Sequence, residues 1–286
     1  MDERRSELRK IIMDTKTLPT LPGVINKLNK LSNDEKSSVQ EMARIVSADQ
    51  VLSARILRLA NSPSYGFYRV STISNAMILL GVNVVKSLAL SSSIFEIMEK
   101  NSVGLWEHSL GTATAANIIA KKLALPEVEE VATAGLLHDI GKVIIGLKCA
   151  EPLQEIRSLV RLDGLYIIDA ERKVLDTDHA EVGGWLSKSW YLPDKLSEPI
   201  MHHHNVSASE DHRIKTSVVH LADVLVKAAS FGDSGDSLVP AIQSVAWDAL
   251  KLDERLLEEI VIELEDKLVE VKNFSIEMQG ATDVAF

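Results

Sequence analysis

The sequence predicts an all-α protein, and three observations support that prediction. Apolar residues recur at three- and four-residue spacing along most of the 286 residues, as in helices with one buried face. Capping residues, prolines and glycines stand where such stretches begin or end. No segment shows the sustained alternation of apolar and polar residues that is typical of strands. We expect two lobes, a helical bundle over residues 1–105 and a second helical domain over residues 106–286.

In the first half, the predicted helices have recognisable boundaries. Pro22 stands near the start of the first helix, and the run Ser-Ser-Val-Gln-Glu at residues 37–41 is typical of an N-cap. Residues 61–66 form a loop by composition, and Gly81 is placed to end a helix. The predicted helices cover residues 24–31, 37–46, 51–59, 74–80 and 84–98.

The second half follows a predicted junction at residues 101–105. Apolar and small residues are helically spaced from Trp106 to Leu125, and Pro126 opens the next helix. A polar, glycine-containing loop is expected at residues 230–237, and a frayed tail at 280–286. The predicted helices cover residues 106–125, 127–146, 151–162, 180–188, 193–203, 215–229, 240–250 and 253–271.

The amino-acid composition is that of a globular protein and disfavours nucleic-acid binding. The chain is 46% hydrophobic and 25% charged, which is ordinary for a globular protein, and its net charge is −10. An acidic balance disfavours nucleic-acid binding, which needs clustered Lys and Arg. Arg55, Arg58 and Lys86 could form a local basic patch, but exposed helices commonly carry such residues.

The cysteine count and the hydropathy favour a cytoplasmic protein. Cys149 is the only cysteine, so no intrachain disulfide can form, and a reducing compartment is expected. The N-terminal residues lack the apolar stretch of a signal peptide. The longest apolar run, residues 131–145, is interrupted by polar residues and is too short to span a membrane.

The histidines are unevenly distributed, because all eight lie between His108 and His220. His138, Asp139 and Lys142 are spaced so that they converge on the C-terminal part of one predicted helix. A lone helical histidine is more often a core or surface residue, and an isolated His-Asp pair occurs often by chance. Buried imidazoles and carboxylates nevertheless cost free energy unless they are paired or bind a metal.

An ordered series of residues favours a metal site over isolated core or surface histidines and a chance His-Asp pair. The series is His108, His138, Asp139, His179, His203, His204 and Asp223. Imidazole and carboxylate ligands suit Fe, Mn, Zn, Ni or Co. Two metals that share a carboxylate can lower the pKa of a water molecule and hold a phosphate for in-line attack.

The order of these residues resembles the HD superfamily of metal-dependent phosphohydrolases, and in particular its HD-GYP branch. The resemblance implies one or two divalent ions, with Fe or Mn favoured over Zn, Ni or Co. It implies that Lys142 faces the phosphate or the metal-bound water, so Lys142 and Asp139 are the candidate catalytic residues. The implied ligands are His108, His138, Asp139 and Asp223 for one metal and His179, His203 and His204 for the second, with Asp139 bridging.

The other histidines are assigned no ligand role. Residues 199–202 resemble the helix that leads into the paired histidines of that branch, so His202 is a neighbour of the pair. His212 and His220 are expected to be structural or surface residues.

The sequence departs from the HD-GYP pattern in two places. Asn205 follows the histidine pair where that branch has a glutamate, and no Gly-Tyr-Pro occurs anywhere in the chain. Gly104 occupies the position where some members carry a glutamate for a third metal. Hydrolysis of cyclic di-GMP is therefore not predicted.

The first half closely resembles HDOD domains, the HD-related output domains of bacterial signalling proteins. The resemblance covers about residues 18–225, and less clearly extends to 271. The motifs that carry it are Leu-Pro-Thr-Leu-Pro at 18–22, Ser-Ala-Asp-Gln-Val-Leu-Ser at 47–53, Leu-Arg-Leu-Ala-Asn-Ser at 57–62, Ile-Ser-Asn-Ala-Met-x-Leu-x-Gly at 73–81, Trp-x-His-Ser at 106–109 and Val-His-Leu-Ala-Asp at 219–223.

Two functions follow from these resemblances. The chain is expected to be a signalling output or scaffold protein whose metal ties helices together and which binds a separate signalling protein. The alternative is an active phosphohydrolase that acts on a nucleotide or another phosphate ester. The intact ligand series and Lys142 support the alternative, and the missing Gly-Tyr-Pro weakens it.

Overall fold

The structure, a computed structural model, describes residues 2–14, 27–28, 31, 38–61, 69–80 and 102–280. These residues contain helices and no strand, which confirms the all-α prediction. Within them, no helix is both long enough and apolar enough to cross a membrane. The α-helices are α1 (Asp2–Met13), α2 (Val39–Val46), α3 (Gln50–Ala60), α4 (Ile73–Leu80), α5 (Ser102–Lys122), α6 (Val128–Leu137), α7 (Ile140–Lys148), α8 (Ala150–Asp163), α9 (Ile167–Leu175), α10 (His179–Ser189), α11 (Asp194–His202), α12 (Arg213–Ala228), α13 (Ser244–Leu250) and α14 (Glu254–Gly280).

Side-chain caps stand at the start of three helices, and the first of them was predicted. Ser38 Oγ accepts a hydrogen bond from the Glu41 amide at 3.1 Å, and the Glu41 carboxylate accepts one in return from the Ser38 amide, which completes a capping box on α2. Asp49 caps α3, and Asp178 caps α10 through the amide three residues later. The last of these caps starts α10 at His179, one residue before the predicted helix over residues 180–188.

Other helices differ from the prediction. The helices α1 and α9 were not predicted, and α14 continues beyond residue 271 to Gly280. The extension is held in place because Lys272 and Ser275 both donate hydrogen bonds to Glu107 of α5. The following predictions lie outside the described residues: Pro22 and most of the helix 24–31, residues 62–66 of the loop, Gly81, Lys86, the helix 84–98, and the tail after residue 280.

The core is organised around α5, which packs against α6, α12 and α14. Buried apolar side chains from α3 and α4 belong to the same contiguous cluster as those of the later helices. The Trp106 indole of α5 donates a hydrogen bond to the Ala48 carbonyl, which joins the two parts of the chain. The predicted boundary at residue 105 lies in the first turn of α5, and the division into two lobes remains a prediction.

Candidate metal centre

The His-Asp pair lies in a break between two helices. A single helix over residues 127–146 was predicted, but α6 ends at Leu137 and α7 begins at Ile140, so that prediction was wrong. His138 and Asp139 occupy the two residues of the break, and both side chains are fully buried. Lys142, in the first turn of α7, donates a hydrogen bond to Asp139 Oδ2 at 2.7 Å. The break directs both side chains of the pair into the interior.

One group of candidate ligands combines His108 of α5, His138 of the break and Asp223 of α12. One ligand atom of each lies within 4.8 Å of the other two. His108 Nε2 is 3.0 Å from Asp223 Oδ1, and His138 Nε2 is 3.8 Å from the same oxygen. Asp139 Oδ2 lies 3.3 Å from His138 Nε2 and 3.7 Å from His108 Nε2. Two imidazoles and two carboxylates therefore face one small volume.

A second group combines His179 at the start of α10 with His203 and His204 after α11, again within 4.8 Å of one another. The Nε2 atoms of His179 and His204 are 2.9 Å apart. Asp139 Oδ1 lies 3.3 Å from His179 Nε2 and 4.0 Å from His203 Nε2. The two oxygens of Asp139 thus face different histidine groups, which is the arrangement of a bridging carboxylate.

Three buried polar atoms at the centre have no hydrogen-bond partner among the described residues: His138 Nε2, His203 Nε2 and Asp139 Oδ1. His138 Nδ1 donates to the Gly135 carbonyl at 2.7 Å, and His203 Nδ1 donates to the Ile200 carbonyl at 2.8 Å. Because a carbonyl only accepts, each Nδ1 carries a proton, so in the neutral form of each ring Nε2 has a lone pair that can bind a cation. Buried atoms of this kind are normally satisfied. A cation between them would satisfy all three.

The ionisation states also suit metal binding. Burial alone would raise the pKa of Asp139, but His138 and Lys142 outweigh it and hold that pKa well below the ordinary value. Burial and the nearby His138 and His179 lower the pKa of His203 to about 3. Burial, together with His203, also holds the pKa of His204 well below its ordinary value. At neutral pH the carboxylate is therefore charged and the paired histidines are neutral, as metal ligands must be.

Glu171 of α9 was missed by the sequence analysis. Its Oε2 lies 2.5 Å from His179 Nδ1 and accepts a hydrogen bond from the His179 amide at 2.9 Å. This fully buried carboxylate orients the ring so that Nε2 points to Asp139. A glutamate in an amphipathic helix carries no local signal for this role, so the sequence offered no way to find it.

Glycines let the helices of the centre approach one another. A Cβ at Gly141, in the His-Asp-x-Gly-Lys motif, would lie 1.9 Å from the His179 carbonyl oxygen. A Cβ at Gly184 would lie 2.6 Å from Met201 Cγ of α11. The glycines therefore permit the contacts of α10 with α7 and α11 that bring the ligands of the second group to Asp139.

The loop at residues 230–237 packs directly against Gly104. The Asp233 amide donates to the Gly104 carbonyl at 2.8 Å, and a Cβ at Gly104 would lie 2.6 Å from Asp233 Cβ. Gly232 has φ +75°, and a Cβ there would lie 2.3 Å from the His108 amide nitrogen. A loop therefore packs directly against Gly104, the position for which no third-metal ligand is predicted.

The remaining histidines lie outside both groups. His220 donates from Nδ1 to the His203 carbonyl at 2.8 Å and accepts at Nε2 from the Gln243 amide at 3.1 Å. Both ring nitrogens are used by backbone groups, so His220 holds the chain at His203 in place. His202 and His212 are partly exposed. Of the residues weighed for a basic patch, Arg55 is buried and Arg58 stacks over Trp190.

Most of the centre is shielded from solvent. His108, His138, Asp139, His179, His203 and Asp223 are buried. His204 is partly exposed, and the Lys142 side chain is 12% exposed. Any small molecule would therefore reach the centre from the side of these two residues.

Comparison with known proteins gives one family match and several relatives. A family model for the HDOD domain matches residues 18–206. An uncharacterized protein from Treponema pallidum (strain Nichols) is 25% identical over 225 residues, which cover 73% of this chain and 42% of that protein. The chain thus spans less than half the length of that relative.

Two crystal structures resemble the chain over most of their length. An HDOD domain protein with unknown function from Geobacter sulfurreducens is 28% identical, with 97% of this chain and 98% of that chain covered and a TM-score of 0.61. A fragment of the MmoQ response regulator from Methylococcus capsulatus str. Bath is 25% identical, with 84% and 94% covered and a TM-score of 0.64. The fold is therefore shared with both.

Proposed function

This chain belongs to the HDOD domain family, and from that premise we propose that it is a bacterial signal-transduction output or scaffold protein that binds one or two divalent transition metal ions. The similar MmoQ fragment is named a response regulator, which supports a signalling role. The proposal includes the two lobes predicted from the sequence, a cytoplasmic location and a separate protein partner.

One observation carries the metal-binding part of the proposal. His138 Nε2, His203 Nε2 and Asp139 Oδ1 are buried together without a hydrogen-bond partner in the part of the chain that the structure describes. Leaving such atoms unsatisfied costs about 1–3 kcal/mol each. His108, His138, Asp139 and Asp223 would hold one ion, and His179, His203, His204 and Asp139 would hold the other.

The ions would stabilise the fold, because the ligands come from separate parts of the chain. His108 is in α5, His179 begins α10, and Asp223 is in α12. Only the native state gathers these side chains, so an ion that binds them favours the native state. The buried ligands and the closed surroundings fit a structural role of this kind.

Metal analysis of protein purified without a histidine tag tests the proposal. We expect one or two equivalents of a transition metal per chain. His138→Ala should remove most of it, whereas His212→Ala, which changes a histidine outside both ligand groups, should leave the metal content unchanged. Protein that contains no metal, and takes up none when refolded with Fe²⁺ or Mn²⁺, would overturn the proposal.

A second candidate function is phosphate-ester hydrolysis, and the position of Lys142 favours it. Its ammonium group bonds Asp139 at 2.7 Å and keeps some exposure to solvent. A bound divalent ion would supply Lewis acidity and lower the pKa of water at the centre. Lys142 would bind a phosphate oxygen at the side of the centre that is open to solvent. Asp139 would lie between the two histidine groups and hold them in their relative positions. The absence of a Gly-Tyr-Pro still argues against cyclic di-GMP as substrate.

Hydrolysis of p-nitrophenyl phosphate by metal-loaded protein separates the two functions. If the chain is an enzyme, Lys142→Met should lower kcat by about 10²-fold or more while the metal content stays constant. Metal binding without turnover of phosphate esters favours the signalling role. His212→Ala serves again as the matched control, since its turnover should equal that of the unmodified chain.

A further inference from the structure

The last helix, α14, carries apolar side chains on two opposite faces. Its inner face is buried against the rest of the protein through Ile260, Leu264 and Leu268, which are 0%, 2% and 6% exposed. Its outer face presents Ile262, Val269 and Ile276, which are 57%, 62% and 57% exposed. These three are spaced by seven residues, or about two helical turns, so they form one line with roughly 10 Å between neighbours. We call this line the outer stripe.

Acidic residues border the first part of the outer stripe, around Ile262, on both sides. Glu258 and Glu265 lie four residues before and three after Ile262, and Glu259 and Asp266 lie three before and four after it. At these spacings the side chains are neighbours on the helix surface. All four are exposed. Glu259 already pairs with Arg255 at 3.2 Å, and Lys272 lies between Val269 and Ile276. The stripe therefore combines spaced apolar side chains with an acidic rim around Ile262.

The last turns of α14 are held firmly in place. Lys272 Nζ donates to both carboxylate oxygens of Glu107 at 2.7 and 2.9 Å, and Ser275 Oγ donates to Oε1 at 2.5 Å. Glu107 is buried in α5. Because the helix is anchored, the outer stripe needs little ordering before it binds a partner, and that lowers the entropic cost of binding.

We propose that the outer stripe binds a basic amphipathic helix of a partner protein. Apolar residues of such a helix would pack between Ile262, Val269 and Ile276, and its Lys or Arg side chains would pair with the acidic rim. A second copy of this chain fits poorly, because its own α14 would bring another acidic rim against the first. The proposal rests on the proposed function in supposing that a signalling protein has a partner, but it does not require the metal centre.

The full-length chain is tested with a synthetic helical peptide of three heptads that carries leucines on one face and lysines beside them. A scrambled peptide of the same composition is the reference, and binding is followed by fluorescence anisotropy. We expect the amphipathic peptide to bind more tightly than the scrambled one, and its binding to weaken as salt is raised. Equal binding of the two peptides would overturn the proposal, because it would indicate attraction by charge alone.

Variants of the chain locate the binding surface. Val269→Asp should weaken peptide binding by about tenfold or more, and Glu265→Lys combined with Asp266→Lys should weaken it as well. Leu162→Asp alters a still more exposed apolar residue, on α8 and 74% exposed, and should have no effect. Because these positions are exposed, circular dichroism should show unchanged folding. Equal weakening by Leu162→Asp would overturn the assignment.

Two further measurements separate this proposal from the others. Sedimentation that shows a dimer of the full-length chain, lost in Val269→Asp, would mean that a second copy occupies the stripe, and would overturn the proposal of a basic partner. His138→Ala should bind the peptide as the unmodified chain does. A chain that binds metal but not the peptide would refute only the docking surface, and a chain that binds the peptide without any metal would refute only the metal centre.

Discussion

A Cβ atom on Gly141 would lie 1.9 Å from the carbonyl oxygen of His179. The helices α7 and α10 therefore contact each other backbone to backbone at this point, with no side chain between them. The same contact sets Asp139 Oδ1 3.3 Å from His179 Nε2, which links the His-Asp pair to the second group of histidines. The glycine of the motif thus has a geometric role in the centre, although it contributes no ligand atom.

Gly141→Ala should separate α7 from α10. We expect the free energy of unfolding to fall by about 1–3 kcal/mol or more, and the chain to lose metal at the second group because His179 moves away from Asp139. Urea unfolding and metal analysis measure the two effects. Gly146→Ala lies in the same helix with no atom within 4 Å of the added Cβ, and should stabilise the chain by up to about 1 kcal/mol. Equal stability of the two variants would contradict the prediction.

Glu171→Gln should weaken metal binding at the second group. The amide oxygen can still accept a hydrogen bond from His179 Nδ1, but it lacks the negative charge of the carboxylate that lies 2.5 Å from that atom. Loss of such an outer carboxylate typically lowers metal affinity about 10–100-fold. Calorimetric titration of the metal-free protein with Mn²⁺ should show one weakened site and one unchanged site. Asp169→Asn alters an exposed carboxylate of the same helix and is the control, with both sites expected to be unchanged. Two unchanged sites in Glu171→Gln would argue against a role for this carboxylate.

The sequence predicted which side chains would meet, because His108, His138, His179, His203 and Asp223 stand in an order that resembles a known family. The N-cap predicted in the run at residues 37–41 also places the start of α2 correctly. The structure brings the seven predicted ligands together, and whether they bind metal stays a prediction that the experiments above test.

Other features could not be read from the sequence because they depend on contacts between distant segments. The break at His138 and Asp139 follows a run of helix-forming residues, and local propensity favours a continuous helix there. Glu171 acquires its role only when α9 packs beside His179. The extension of α14 depends on bonds from Lys272 and Ser275 to Glu107, more than a hundred residues away.

Glu130 should make stability depend on pH. Burial by itself would raise the pKa of Glu130, but hydrogen bonds from Lys195, Lys215 and Ser71 outweigh burial and hold the pKa below its ordinary value. A carboxylate whose folded pKa is depressed stabilises the native state above its unfolded pKa, and this stabilisation is lost as the pH falls through the folded pKa. Glu130→Gln should therefore be less stable by about 1–3 kcal/mol at neutral pH, with the difference shrinking as the pH falls below about 4.5.

Urea unfolding from neutral pH down to about pH 3 follows this difference. Replacing both lysines, as Lys195→Met with Lys215→Met, should remove most of the pH-dependent part while leaving Glu130 in place. A constant difference between Glu130→Gln and the unmodified chain at every pH would show that the ion pairs do not stabilise the fold.

Removal of metal by a chelator should lower the Tm. A ligand at about 1,000 times its Kd stabilises the native state by about 4 kcal/mol, and in a chain of this size each kcal/mol shifts the Tm by about 2–4 °C. The loss should therefore be on the order of 10 °C, and adding Mn²⁺ back should restore it. His138→Ala should begin at the lower Tm and show no response to the chelator, because it lacks one of the proposed ligands. In the unmodified chain the Nε2 of that ligand has no hydrogen-bond partner among the described residues. His212→Ala should respond to the chelator as the unmodified chain does. If the chelator left the Tm of the unmodified chain unchanged, the buried histidines would be stable without a cation.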